Sequence, residues 1–503
     1  MKHNGKRFLS LLLSLLLTSG LISCGESPEN AEPSTEVPSD GAEAVVEEEA
    51  PDILAGLNYG GATFSILTSD TEISSNYMIQ GSGELTGDNV NDAVFERNLA
   101  VEEAMGVSFE YTTSNNAWSD VFAAAQKLVL SGDCSYDLLI DDQRGFSTAS
   151  VSHLFLEASS LPTVDLDEGC WWKDYMMNLS VDYKSLYLLV GDYFADVLNH
   201  SHAILYNRDV YRDLYGDPDE VYTMVQEGRW TYENWQPLVD GAYADLDGDG
   251  KVTPKGDRFG MIVGGIGGSI FPFSYSSDCQ FVSRDADGYP TLTMYSERLV
   301  KLYDNIRGIF YSEATSTKFD ENGANLHAKF IEGGALFISG TQLGDFGKFR
   351  DMENDIGIIP YPKLDESQER YITVVHDTAE VGAFPLTVRD SAMCGAVVQM
   401  LCRTSHETVL PTYYEESLKI KYARDDASSA MIDLIHDGIT DEFCLVYGGA
   451  YANDIFTWAL LGPLQKNGDS ITADYESREK AAIAGLEKLM EDFNSQPELT
   501  AES

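Results

Sequence analysis

ATFSILT at residues 62–68, VSFEY at 107–111 and YDLLI at 136–140 decide the fold class. The first alternates apolar and polar residues as a half-buried strand does, and the last is a short apolar run of the kind buried on both faces. Between the first two, Asn91 to Met105 carries Val94, Leu99 and Met105 among charges, and Gly106 follows as a helix stop. Between the second and third, Ser119 to Leu130 reads as another helix ending near Gly132. Strand, helix, strand, helix, strand is the βαβαβ order of a parallel sheet covered by helices. The class is therefore α/β.

Ligands of open parallel sheets lie at the carboxyl ends of the strands, where loops and helix N-termini converge. Asp141, Asp142, Gln143 and Arg144 stand at such an end. Capping of the next helix explains them as well as ligand contact does. Further on, GALFISG (334–340) and DIGIIP (355–360) read as short buried strands, with Thr341 and Gln342 closing the first. Strand and helix alternate again past residue 330, which suits two lobes with a chain that crosses between them more than once.

The N-terminal residues read differently. Lys2, Lys6 and Arg7 precede an apolar run from Phe8 to Leu17, too short to span a bilayer and of signal-peptide length. It closes on Leu21-Ile22-Ser23-Cys24, which resembles the bacterial lipobox. The expectation is cleavage after residue 23, acylation of Cys24 with chains such as palmitate, and residence at the cell membrane on its extracellular face or in the periplasm. Residues 25–56 carry ten Asp or Glu, no Lys or Arg, and four prolines. Such a stretch buries too little to offset its ordering entropy and reads as a disordered acidic linker.

The rest is long enough for two domains, and the whole chain is 43% hydrophobic and 11% aromatic. A formal charge of -49 argues against nucleic acid, whose phosphates it would repel, and against electrostatic adhesion to anionic lipid. Apart from Cys24, six scattered cysteines form no CxxC pair and read mostly as buried thiols, so no zinc site is implied. HExxH, a P-loop and GxSxG are absent.

Several phrases together resemble one family, the bacterial extracellular solute-binding proteins (family 1 type) of carbohydrate-uptake ABC transporters. They are the lipobox with its spacer, the YDLLI strand ending at Asp141, LPTVDLDEGCWWKD (161–174), AILYNRDVYRDLYG (203–216), EGRWTYENW (227–235), FIEGGALFISGTQL (330–343) and DIGIIPYPKLDESQERY (355–371). Order and spacing agree from about Leu57 to Pro385. The resemblance implies a two-lobed periplasmic-binding-protein-like fold (type II), each lobe a sheet flanked by helices, joined by a hinge. It places lobe I at 57–193 and 345–387 and lobe II at 194–344 and 388–503, after a signal peptide at 1–23 and the lipidated linker at 24–56. The first crossing falls near Tyr193–Asn199 and the return near Ser339–Gly344.

The function implied is capture of a carbohydrate, an oligosaccharide for preference, in the cleft between the lobes, and delivery to the permease subunits of an ABC transporter, with no catalysis. Sugar binders combine polar side chains with aromatic platforms. The residues assigned to ligand are Trp118, Asp141, Asp142, Arg144, Tyr193, Asn199, Phe273, Tyr275, Thr341, Gln342 and Trp458. Core packing is an equal reading for Trp118 and for the alternate positions Phe271, Phe273 and Tyr275; His200 and His202 read as hinge residues. Trp171, Trp172, Trp230 and Trp235 are assigned mainly to packing. A surface glycoside hydrolase, or a binder of a non-sugar solute such as a peptide, is the alternative.

One further motif stands apart. DLDGDGKVTPKGD (245–257) sets Asp245, Asp247 and Asp249 at positions 1, 3 and 5 of an EF-hand-like loop, with Gly250 at position 6 and the Lys251 carbonyl available at 7. Position 12, where a bidentate Glu belongs, holds Gly256, and Asp257 follows one place late. The expectation is a structural Ca2+ on the surface of lobe II; a metal-free acidic loop is the alternative.

Overall fold

The computed structural model describes residues 52–69, 76–114, 120–317, 325–349, 352–415, 426–440 and 443–495. The signal peptide, Cys24, the linker up to residue 51 and Trp118 lie outside them. Asp52–Ser503 forms one compact unit.

The first sheet is the one the opening strands predict. Ala62–Ser69 lies between Val107–Ser114 and Leu138–Asp142, parallel to both, with Phe64 paired to Phe109 and Ile66 to Leu138. Parallel neighbours need a crossover, and the helices Asn89–Met105 and Asp120–Ser131 supply it. Local chemistry sets the ends of the longer helix. The Asp88 carboxylate accepts the Val90 and Asn91 N–H groups at 3.1 and 3.0 Å, and Gly106, at a φ of 61°, returns its N–H to the Glu102 carbonyl. A late strand, Glu380–Ala383, completes the sheet antiparallel to Leu138–Asp142.

The second sheet runs in the order Ile356–Ile359, His202–Asn207, Ala335–Gln342, Asp257–Ile262, Ala244–Asp245, with Thr315–Ser316 also beside Asp257–Ile262. Every residue of His202–Asn207 is buried, as expected of a central strand covered on both faces. Gly340, at a φ of 80°, sits where the ladder slips between Ile338 and Thr341.

Three boundaries differ from the sequence reading. Ile356–Ile359, placed in lobe I, is hydrogen-bonded to His202–Asn207 in the second sheet. The helix Ser391–Thr404, placed in lobe II, packs on Asn89–Met105 of the first lobe. The linker also ends sooner than residue 56: Leu54 is buried in the core and Asp52 pairs with Arg403 at 2.8 Å. Each difference depends on a partner far away in the chain, which local pattern does not encode.

Phe271, Phe273 and Tyr275 lie on a helix, Ile266–Tyr275, and not on an extended run. Phe273 is fully buried, stacked on Trp235 at 5.9 Å and edge-on to Tyr361 at 5.0 Å. The six cysteines from Cys134 to Cys444 are all free, four of them buried. Among the described residues no helix is long and apolar enough to cross a membrane.

Candidate functional site

The carboxyl ends of the first sheet's strands meet the crossing segment in a polar seam. Ser69, at the end of its strand, donates to Glu380 Oε1 at 3.0 Å, and the Glu380 N–H donates to Asp196 Oδ2 at 3.0 Å. Asp196 lies 3.0 Å from His200 Nδ1, and the ring of His376 stands 6.4 Å from His200 and 5.8 Å from His202. Burial first, and the His376 ring second, push the His202 imidazole down to about 3. It is therefore neutral at ordinary pH.

Beside this seam opens a cleft of about 530 Å³. One wall is the segment Leu166–Tyr175 with Asp192; the other is His406, Leu410, His436 and Ile439. The helix Asp426–Asp437, which carries His436, packs on Ile356–Ile359 of the second sheet, so the cleft draws on both lobes. Its geometry starts from a short antiparallel bridge between Trp171 and Gly191, which sets Trp172 beside Asp192. The Trp172 Nε1–H donates to Asp192 Oδ1 at 2.7 Å, and the other carboxylate oxygen lies 2.6 Å from His406 Nδ1. Burial raises the Asp192 carboxyl above its ordinary range, against the opposing pull of these two bonds.

Trp172 is half-buried, with His436 edge-on at 6.1 Å and Tyr175 at 6.3 Å. Tyr175 connects cleft and seam: its hydroxyl donates to Gln143 Oε1 at 2.9 Å, and Gln143 Nε2 donates to the His376 carbonyl at 2.9 Å. Asp167, Glu168, Lys173 and Asp174 add charge around the opening. An indole with carboxylates and imidazoles around it offers a surface for C–H groups and acceptors for hydroxyls. The volume falls within the range of small-molecule sites, about 300–1,000 Å³.

None of the described residues assigned to ligand from sequence lines this cleft. Asp141 and Asp142 are buried and start helices: Asp141 Oδ2 accepts the Phe122 N–H at 3.0 Å, and Asp142 Oδ1 accepts that of Gly145 at 2.7 Å. Arg144 reaches solvent and pairs with Asp377 at 3.1 Å. Tyr193 is buried beneath the Arg97 guanidinium, 4.7 Å from the ring centre. Asn199 accepts the Tyr413 hydroxyl. Thr341 donates its hydroxyl to the Ala203 carbonyl at 2.7 Å, and Gln342 pairs with His202 across the second sheet. Phe273 and Tyr275 fill core, while Trp458 lies under Arg478 at 5.7 Å. Asp245, Asp247 and Asp257 gather in the edge hairpin of the second sheet, apart from the cleft.

Trp172 is the residue that sequence reasoning missed. A signal was present in the adjacent indoles of CWWKD, either of which offers an aromatic platform. Both line the cleft, but Trp171 is buried with its Nε1–H donating to Gln399 at 2.9 Å, while Trp172 is half-buried. Trp230 and Trp235 are fully buried.

Two sheets flanked by helices, with a cleft lined by segments packed on each, make a fold shared with solved binding proteins. The solved structures similar to this chain bear that out. A cyclic alpha-maltosyl-1,6-maltose binding protein from Arthrobacter globiformis matches with a TM-score of 0.56 at 12% identity, covering 85% of this chain and 100% of that one. UgpB from Mycobacterium tuberculosis, in complex with glycerophosphocholine, matches with a TM-score of 0.55 at 13% identity, covering 86% and 99%. An ABC substrate-binding protein from Listeria monocytogenes, in complex with cycloalternan, matches with a TM-score of 0.51 at 12% identity, covering 84% and 98%. Two of these three neighbours are described as binding proteins. No family model and no curated protein sequence matches the chain.

Proposed function

We propose that this chain is a lipid-anchored extracellular solute receptor, which captures a carbohydrate in the cleft beside Trp172 and hands it to an ABC transporter permease. The observation that carries the reading is the cleft itself: a half-buried indole fixed by Asp192, carboxylates and imidazoles around it, and walls from both lobes. A volume of about 530 Å³ suits a small oligosaccharide. The fold supports the reading, since neighbours that share it hold cycloalternan or bind a cyclic maltosyl-maltose. The lipobox at Leu21–Cys24 and the acidic residues after it support a tether that keeps such a receptor at the membrane.

Binding without turnover distinguishes this function from that of a surface glycosidase. The test is a thermal-shift screen over mono- and oligosaccharides, because a ligand held only by the folded state raises its stability. Sugars that raise the melting temperature and are recovered intact support the proposal. Released sugar products overturn it in favour of an enzyme, and stabilisation by peptides or other solutes alone overturns the carbohydrate assignment.

A further inference from the structure

The loop from Asp245 to Asp257 departs from an EF-hand at its last position, and the structure shows what replaces the missing glutamate. Asp245 and Asp257 face each other directly across an antiparallel pair at the edge of the second sheet. Carboxylate oxygens of Asp245, Asp247 and Asp257 all lie within 4.8 Å of one another. Gly256 occupies position 12, and a Cβ there would stand 2.1 Å from Asp247 Oδ2, so a side chain at that place would push the Asp247 carboxylate out of its present position. The acid one residue later, Asp257, is the one that reaches the cluster.

The rest of the loop is shaped around these groups. Asp245 accepts the Gly248 N–H at 2.7 Å and the Gly250 N–H at 2.9 Å, and both glycines hold a φ of 71°, a region that favours glycine. Asp247 accepts the Asp249 N–H at 3.1 Å. Asp249 itself stands outside the cluster, accepting the Lys251 N–H at 2.8 Å and pairing with its ammonium at 3.5 Å.

A second observation points to a ligand. Asp257 is fully buried; its Oδ2 accepts the Thr253 N–H at 2.5 Å, whereas its Oδ1 has no hydrogen bond of good geometry, the Tyr243 hydroxyl being the nearby side-chain donor. A buried carboxylate oxygen without a well-formed hydrogen bond is costly, and like charges directly opposite on paired strands repel. A divalent cation reverses both terms at once. Oxygen-only donors of this number, on a loop able to add carbonyls and water, suit Ca2+ better than Mg2+, which sheds its waters reluctantly.

We propose that Asp245, Asp247 and Asp257 bind one Ca2+, which fastens the edge hairpin of the second sheet, with Asp257 serving in place of the closing glutamate. No residue of the trio lines the cleft. The site is therefore structural and independent of the solute.

The test is calorimetric titration of the chelator-stripped full chain with CaCl2 and with MgCl2, together with thermal melting in each. The expected result is saturable Ca2+ binding with a Kd on the order of 10⁻⁴ M, a higher melting temperature with Ca2+, and little response to Mg2+. Asp257→Asn is expected to abolish the response. Asp247→Asn, at an exposed position, reports in its place if the buried substitution does not fold, and is expected to weaken binding about tenfold or more. Absence of saturable Ca2+ binding, an equal response to Mg2+, or unchanged binding in Asp247→Asn would each overturn the proposal.

Discussion

Trp172 and Asp192, twenty positions apart, are joined by a 2.7 Å hydrogen bond from the indole to a carboxylate that is 2% exposed. The bond fixes the ring plane before any solute arrives, so little side-chain entropy remains to be lost on binding. Trp172→Ala is expected to weaken sugar binding by about tenfold or more, since central aromatics carry a disproportionate share of such affinity. Titration of the sugar found by the thermal-shift screen measures it. An unchanged Kd would remove Trp172 from the site.

His202 gives a pH dependence with a definite sign. Its imidazole is pushed from 6.5 down to about 3 in the folded chain, by burial and then by His376. Between those values the unfolded chain binds the proton and the folded chain does not, so His202 costs stability as pH falls below 6.5. The limiting slope for one such group is about 1.4 kcal/mol per pH unit. Denaturant unfolding of wild type and His202→Gln at pH 7 and pH 5 isolates it: the variant is expected to lose less stability over that interval.

Gly260 tests the packing of the second sheet against the helix Tyr232–Gly241. A Cβ at residue 260 would stand 1.8 Å from the Val239 carbonyl oxygen, a backbone atom with no rotamer in which to escape. Gly260→Ala is expected to cost about 3 kcal/mol through forced displacement of helix from strand. Urea unfolding measures it, and a change under about 0.5 kcal/mol, typical of exposed sites, would contradict the contact.

Arg97 secures the crossing from within the core. Its guanidinium donates to the Met78 carbonyl at 2.9 Å and the Ile79 carbonyl at 2.5 Å while lying over Tyr193. Arg97→Met keeps most of the volume but takes the donors from two carbonyls, at an expected cost of about 2–4 kcal/mol. A fall in melting temperature of the variant checks this.

Element type was legible from sequence wherever it rests on neighbours in the chain. The three parallel strands, the helix stop at Gly106 and the strand at 335–342 appear within a few residues of their expected places. Ligand assignments fared differently. Asp141 and Asp142 are acids at a strand end, as sequence indicated, yet their oxygens accept N–H groups near the starts of helices, Asp141 from Phe122 of the preceding helix and Asp142 from Gly145 of the following one. The same residue types serve capping and sugar recognition, and only side-chain direction separates them.

By itself, the sequence determined the α/β class, the likeness to two-lobed solute-binding proteins and the acidic loop at 245–257, because alternation, caps and turn glycines act over a few residues. Tertiary structure decided which groups share the cleft: Trp172, Asp192, His406 and His436 converge from segments far apart in the chain. It also decided that Asp257, one place beyond the motif, closes the acidic cluster, because strand pairing sets it directly opposite Asp245. Both outcomes depend on directions fixed by long-range packing, which local sequence pattern does not specify.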